Sequence, residues 1–192
     1  MQVKTLSTSR YNSTNVSASV VISGTTKAIF GYGYSGASVS MTNLVSNTGT
    51  VATDTTGVGT IRHALAAAGY GTDKAIFGYG YSTSAAGNVS ITNLVSNTGT
   101  VATDTTGVGT ARYGPAAAGY GSDKAIFGYG NLNPGNVSMT NLVSNTGVVA
   151  NDVTGVGTAR SYLAAAGYGT DKAIFGYGYT GAVASVTNLV SN

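Results

Sequence analysis

The sequence predicts an all-β protein, a four-bladed β-propeller with four antiparallel strands per blade, and three observations lead to that reading. The phrase Lys-Ala-Ile-Phe-Gly-Tyr-Gly occurs four times, beginning at Lys27, Lys74, Lys124 and Lys172, at intervals of 47, 50 and 48 residues. Such a period marks a supersecondary unit that buries its faces only against its neighbours. Each interval also divides into short runs rich in Val, Ile, Phe, Tyr and Thr, separated by Gly, Asn and Asp turns, the pattern of an antiparallel meander. Finally, the two ends of the chain complement one another in a way that suits a closed ring.

The unit from Arg62 to Ala111 shows the elements in order. Leu65–Tyr70 is the innermost strand, with three consecutive alanines that suit a narrow axis, and Gly71-Thr72-Asp73 is the turn after it. Lys74–Gly80 is the second strand. Strict alternation places Ala75, Phe77 and Tyr79 on one face and Ile76 and Gly78 on the other. Both faces are apolar or small, as a sheet packed between two others requires. A polar loop leads to the third strand, Val89–Val95, and the turn Ser96-Asn97-Thr98-Gly99 leads to the fourth, Thr100–Asp104. The first unit carries a divergent inner strand, Val16–Ile22.

The whole chain, 1–192, reads as one domain with blades at about 11–61, 62–111, 112–159, and 160–192 plus 1–10. The last repeat stops at Asn192 after its third strand, Val186–Val190, and Met1–Arg10 stands where Val51–Arg62 stand in the repeat. The N-terminal strand is therefore expected to close the last blade, leaving no unpaired edge there. A β-solenoid is the rival fold; it tolerates Gly- and Asn-rich repeats, needs no exchange between termini, and usually has shorter coils.

Composition removes several function classes. The net charge of +3 is spread through the repeats without a basic run, which argues against nucleic acid as a partner. There is no Cys, hence no disulfide, thiolate metal site or cysteine nucleophile. Residues 1–14 are polar and lack the apolar core of a signal peptide, and no apolar run reaches membrane-spanning length. A cytoplasmic site of synthesis is expected, with release by another route such as lysis if the protein works outside a cell. His63 is the sole His, Glu is absent, and the six Asp are dispersed. No metal site, cofactor or glycosidase carboxylate pair is implied, and the chain is read as non-enzymatic. Asp54, Asp104 and Asp152 read as turn residues, since a calcium loop needs several carboxylates at close spacing. Tyr32, Tyr79, Tyr129 and Tyr177 of Gly-Tyr-Gly read as packing between blades.

The order Arg, small apolar strand, Lys-Ala-Ile-Phe-Gly-Tyr-Gly, variable loop, Val-Ser-Met-Thr-Asn strand and return to Arg resembles a kelch-type repeat over essentially the whole chain. It departs from that pattern in two ways: the paired Gly is Gly-Tyr-Gly, and Val51, Val101 and Val149 stand where an outer-strand Trp is usual. Copper-oxidase relatives of the kelch type use Cys, Tyr and His ligands, a set this chain lacks. The wording Gly-Thr-Asp-Lys-Ala-Ile-Phe-Gly-Tyr-Gly, Asn-Leu-Val-Ser-Asn-Thr-Gly and Thr-Asp-Thr-Thr-Gly-Val-Gly-Thr-Ala-Arg is also similar to repeat arrays in fibre and appendage proteins of tailed bacteriophages. That resemblance implies a virion structural protein: a tail fibre, appendage or decoration partnered by other virion proteins or by copies of itself. Receptor binding to a host surface glycan or protein follows as an expectation. A cellular lectin or cytoplasmic kelch-type adaptor is the alternative, and a pure assembly subunit a third.

The four copies can be compared with one another. Residues 42–60 and 92–110 are identical, whereas change concentrates in two places. One is the loop after the second strand, at 34–38, 81–88, 131–136 and 179–183; the other follows the repeated Arg, at Tyr11-Asn12, His63-Ala64, Tyr113-Gly114-Pro115 and Ser161-Tyr162. In an up-and-down blade both places fall on one face of the disc, the expected recognition face. Arg10, Arg62, Arg112 and Arg160 could hold an anion there, with Tyr11, His63, Tyr113 and Tyr162 stacking on a sugar ring. The competing reading is that each Arg pairs with an Asp or with carbonyls between blades, and that exposed loop tips simply drift.

Overall fold

The computed structural model describes residues 18–22 and 27–191. All its regular structure is β, built from small antiparallel sheets, and no helix long and apolar enough to cross a membrane is present among the described residues. The first unit contains β1 (Ala18–Ile22), β2 (Lys27–Tyr34) and β3 (Ser38–Val45). The second contains β4 (Ala66–Tyr70), β5 (Lys74–Gly78), the small hairpin β6 (Tyr81–Ser82) and β7 (Gly87–Asn88), and β8 (Thr92–Val95). The third contains β9 (Ala116–Tyr120), β10 (Lys124–Asn131) and β11 (Asn136–Val143), and the fourth β12 (Ala164–Tyr168), β13 (Lys172–Gly176) and β14 (Thr187–Val190). In every unit the Lys-Ala-Ile-Phe strand is central, paired antiparallel to the inner strand (Ala-Ala-Ala-Gly-Tyr in the last three units, Ala-Ser-Val-Val-Ile in the first) on one side and the Thr-Asn-Leu-Val strand on the other. The segments 1–17, including the closing strand expected at Met1–Arg10, lie outside the described residues.

The predicted fourth strand is present only as an extended segment touching the third at two points. Val51 and Thr55 bridge to Val45 and Thr42, Val101 and Thr105 to Val95 and Thr92, and Val149 and Val153 to Val143 and Thr140. The interruption has a side-chain cause. Between the two bridges of the second unit, the Asn93 amide donates to the Ala102 carbonyl at 3.0 Å and to Asp104 Oδ1 at 2.9 Å, replacing ladder bonds. Asn141 does the same with Ala150 and Asp152.

Simple alternation mis-assigns one side chain. Phe77 faces the first unit, meeting the edge of Tyr32 at 5.2 Å, but Tyr79 faces the third unit and meets Phe127 at 5.2 Å. The tyrosines of Gly-Tyr-Gly adopt φ between 62° and 64°, and the ladder of β10 with β11 shifts register between Gly128 and Gly130. A bulge of this kind turns the next side chain to the opposite face. Phe and Tyr of one phrase are thereby aimed at different neighbours.

The core lies between units rather than within them. Ile29 and Tyr32 pack with Leu65, Ala75, Phe77 and Val95. Ala66, Ala68, Tyr70, Ile76 and Tyr79 pack with Ala125, Phe127, Val143 and Val149, and the third unit meets Leu163, Ala173 and Phe175 of the fourth in the same way. The inner strands follow one another in chain order, β1 against β4, β4 against β9 and β9 against β12. Small residues permit this closeness: a Cβ on Gly167 would come within 2.7 Å of the Gly119 carbonyl oxygen.

Candidate functional site

The repeated arginines sit inside the junctions. Arg62, Arg112 and Arg160 are each 0% exposed, and their guanidinium carbons lie 4.1, 4.0 and 4.2 Å above the ring centres of Tyr32, Tyr79 and Tyr129 in the preceding unit. Arg62 Nε donates to the Tyr79 carbonyl at 3.0 Å, Nη1 to the Thr60 carbonyl at 3.2 Å, and Nη2 to Asn93 Oδ1 at 2.6 Å. Arg112 repeats the set with Tyr129, Thr110 and Asn141. Arg160 keeps the first two bonds, to Tyr177 and Thr158, but its Nη2 meets the Phe175 carbonyl at 3.4 Å. A buried charge is tolerable only when its protons are satisfied and its face is covered, and here a ring and three acceptors do both. Burial pushes the Arg62 and Arg112 guanidinium pKa values down, an effect opposed by the adjacent tyrosine and Asp.

The Asp residues complete the junction. Asp104 accepts from Thr60 Oγ1 at 2.6 Å and from the Thr60 N–H, and Asp152 accepts likewise from Thr110. Burial pushes both carboxyls up, but the hydrogen bonds from Thr and Asn, with the nearby Arg, outweigh it and hold them below the ordinary carboxylate value. Asn93 and Asn141, which link Arg to Asp, were not singled out from sequence; their repetition inside Thr-Asn-Leu-Val was the available signal. The three described arginines thus present no guanidinium to solvent, and the anion clamp expected of them has no open face in this arrangement. Arg10 and Tyr11 lie outside the described residues.

The aromatic members of the predicted site are placed differently. The segment after each Arg bridges to the start of the loop after the second strand: His63 to Tyr81, Tyr113 to Asn131, and Ser161 to Tyr179. The two variable places are therefore adjacent along one edge. His63 lies between Tyr34 and Tyr81, at 5.1 and 5.4 Å between ring centres, and its Nδ1 shares a 2.9 Å hydrogen bond with Ser38 Oγ. Burial pushes the His63 pKa down, which favours the neutral ring at pH 7. Tyr113 and Tyr162 meet edge to face at 5.8 Å, with Tyr162 61% exposed. Tyr34 and Tyr179 are exposed as well.

Backbone hydrogen bonds hold this edge in register. Ala64, Gly114 and Tyr162 occupy equivalent positions with positive φ, the Gly114 N–H donates to the Ala64 carbonyl at 2.7 Å, and the Tyr162 N–H donates to the Gly114 carbonyl at 2.8 Å. Asn88 and Asn136 each donate from their side-chain amides to the next unit's loop, at Asn131 and Tyr179. The result is a row of neutral rings and hydroxyls on a stiff frame. Such a surface can stack on and hydrogen-bond a sugar or a peptide. Among the described residues no three of His, Cys, Asp or Glu gather as metal ligands. No family model matches the chain, and no curated protein matches it.

Proposed function

We propose that this chain is a non-enzymatic structural protein of a tailed-phage virion, a fibre, appendage or decoration, whose aromatic edge recognises a host surface glycan. The observation that carries the recognition part is the coincidence of sequence variation with accessible rings: exposed Tyr34, Tyr162 and Tyr179 and half-buried His63, Tyr81 and Tyr113 line the edge where the four copies differ. Neutral aromatic faces with adjacent hydroxyls suit sugar rings, which present apolar C–H faces and many hydroxyls. The virion part is supported by the resemblance of the repeat wording to phage appendage arrays. In this reading the four units are propeller blades, and the junction left open after the fourth takes the Arg10 that the sequence supplies.

A glycan array tests the recognition part. Specific hits are expected for the wild-type chain, weakened about tenfold or more by Tyr113→Ala or Tyr162→Ala and unaffected by Lys74→Ala at the far end of β5. No specific hit, or hits indifferent to both tyrosine changes, would sink it. Mass spectrometry of purified phage particles tests the virion part, and absence of the chain from them counts against it.

A further inference from the structure

The edge where the copies differ brings two tyrosines together at one place. Tyr113 and Tyr162 meet edge to face with ring centres 5.8 Å apart, and among the described residues theirs is the one ring contact between two tyrosines. Backbone bonds fix both partners. Tyr113 exchanges bonds with Asn131 at 3.1 and 2.8 Å, and the Tyr162 N–H donates to the carbonyl of Gly114, the residue after Tyr113, at 2.8 Å. Gly114 has φ 61°, and a Cβ there would come within 3.3 Å of the Tyr162 ring. The missing side chain therefore leaves room for that ring beside Tyr113. Burial raises the Tyr162 phenol pKa, and the neighbouring Tyr113 phenol raises it further, since two phenolates would repel at this range.

The pairing arises from divergence between copies. At the position of Tyr113 the second and fourth units carry His63 and Ser161, and at the position of Tyr162 the second and third carry Ala64 and Gly114. Two adjacent phenols have a chemistry that a lone tyrosine lacks. When each loses one electron and its hydroxyl proton, the two phenoxyl radicals join through ring carbons next to the oxygens. The hydrogens on those carbons then move to the oxygens and restore both rings. The pair has lost two hydrogen atoms in all, and hydrogen peroxide takes up the two electrons and two protons as it is reduced to water. We propose that Tyr113 and Tyr162 are an oxidative cross-linking site, joined by a peroxidase-type oxidant and peroxide into a carbon–carbon-linked dityrosine that staples the third unit to the fourth. The link closes the loop of chain between positions 113 and 162, which restricts the unfolded state. Because the second ring is already held at the first, coupling within one chain outruns coupling between chains in dilute protein. Exposed Tyr34, Tyr177 and Tyr179 meet no second tyrosine ring among the described residues. The site is a modification site and does not rest on the binding of any glycan.

Dilute protein treated with a haem peroxidase and hydrogen peroxide, then cleaved after Lys and Arg, tests this directly. Peptides 113–124 and 161–172 are expected joined, at the sum of their masses less two hydrogen atoms, in material that still runs as a single chain. Fragmentation should place the link at Tyr113 and Tyr162 rather than at Tyr120 or Tyr168, which share those peptides. Tyr113→Phe or Tyr162→Phe should each lower the yield of joined peptides about tenfold or more, and Tyr168→Phe should leave it unchanged. The Phe variants keep the rings, so the fold is retained. The oxidised wild-type chain should also unfold at a higher urea concentration than oxidised Tyr162→Phe. A link that persists in Tyr162→Phe, linkage only between chains, or an unchanged urea midpoint overturns the proposal. Each result leaves the glycan-array and particle outcomes standing, so the two readings fail separately.

Discussion

Arg112 is the residue on which most of a junction converges. It joins a ring and a carbonyl of one unit, Tyr79 and Thr110, to a carbonyl and an Asn of the next, and Asn141 passes the chain of bonds to Asp152. Removing one partner of such a buried polar set leaves the others unpaired. Arg112→Ala is therefore expected to lower unfolding free energy by about 3–5 kcal/mol, measured by urea denaturation. Arg112→Lys should recover only part, because an ammonium cannot cover the Tyr79 face and reach three acceptors together. The junction also predicts stability limits in pH. Burial pushes the Tyr79 phenol up to about 12, and Tyr32 is raised for the same reason. In the unfolded chain tyrosine ionises near its ordinary value, so the contribution of these groups is complete below pH ~10 and is lost as the pH rises toward 12. Asp104 and Asp152 shift the other way, so their contribution is present above the ordinary carboxylate value and is lost as the pH falls through their depressed values. Urea midpoints measured from pH 2 to 12 should fall at both ends; a midpoint flat above pH 10 would contradict burial of the tyrosines.

At the scale of the element, the second strand does more than alternation implies. Its Phe faces backward and its Tyr forward, and the first Gly of Gly-Tyr-Gly makes room for the incoming Phe. A Cβ on Gly78 would approach the Phe127 ring to 2.7 Å, and one on Gly128 the Phe175 ring to 3.0 Å. Gly78→Ala is expected to cost about 1–3 kcal/mol by overpacking, whereas Gly36→Ala, in open space at φ 88°, costs only local backbone strain and leaves the second junction untouched. This part of the structure was only partly legible. The second strands and the turns around them followed from composition and spacing, because Lys-Ala-Ile-Phe and Gly-Thr-Asp have strong local preferences. The reversal of Tyr79 did not follow, because period-two reasoning assumes an unbroken ladder and the positive φ at Tyr79 falls on a residue type that rarely adopts it. The fourth strand was over-read for a related reason. Its Val and Thr suit a strand, but Asn93 and Asn141 insert their amides into the ladder, and that competition is invisible in propensity.

For the whole molecule, the repeat period announced stacked units, and the structure adds how they are joined. The identical residues build junctions, so Arg62 and Arg112 were better read through their recurrence beside Gly-Tyr-Gly than through their charge. The aromatic edge was legible as a place of variation; its pairing of His63 with Tyr34 and Tyr81 depends on bulge and bridge geometry that no linear comparison contains. Chemical nitration of tyrosine, read residue by residue by mass spectrometry at low and high protein concentration, tests the stacked-junction design most directly. Tyr79 and Tyr129, buried beneath an Arg and a Phe, are predicted to stay unmodified throughout. Tyr34, 63% exposed, should react at every concentration. Nitration of Tyr79 and Tyr129 as rapid as that of Tyr34 would contradict the design.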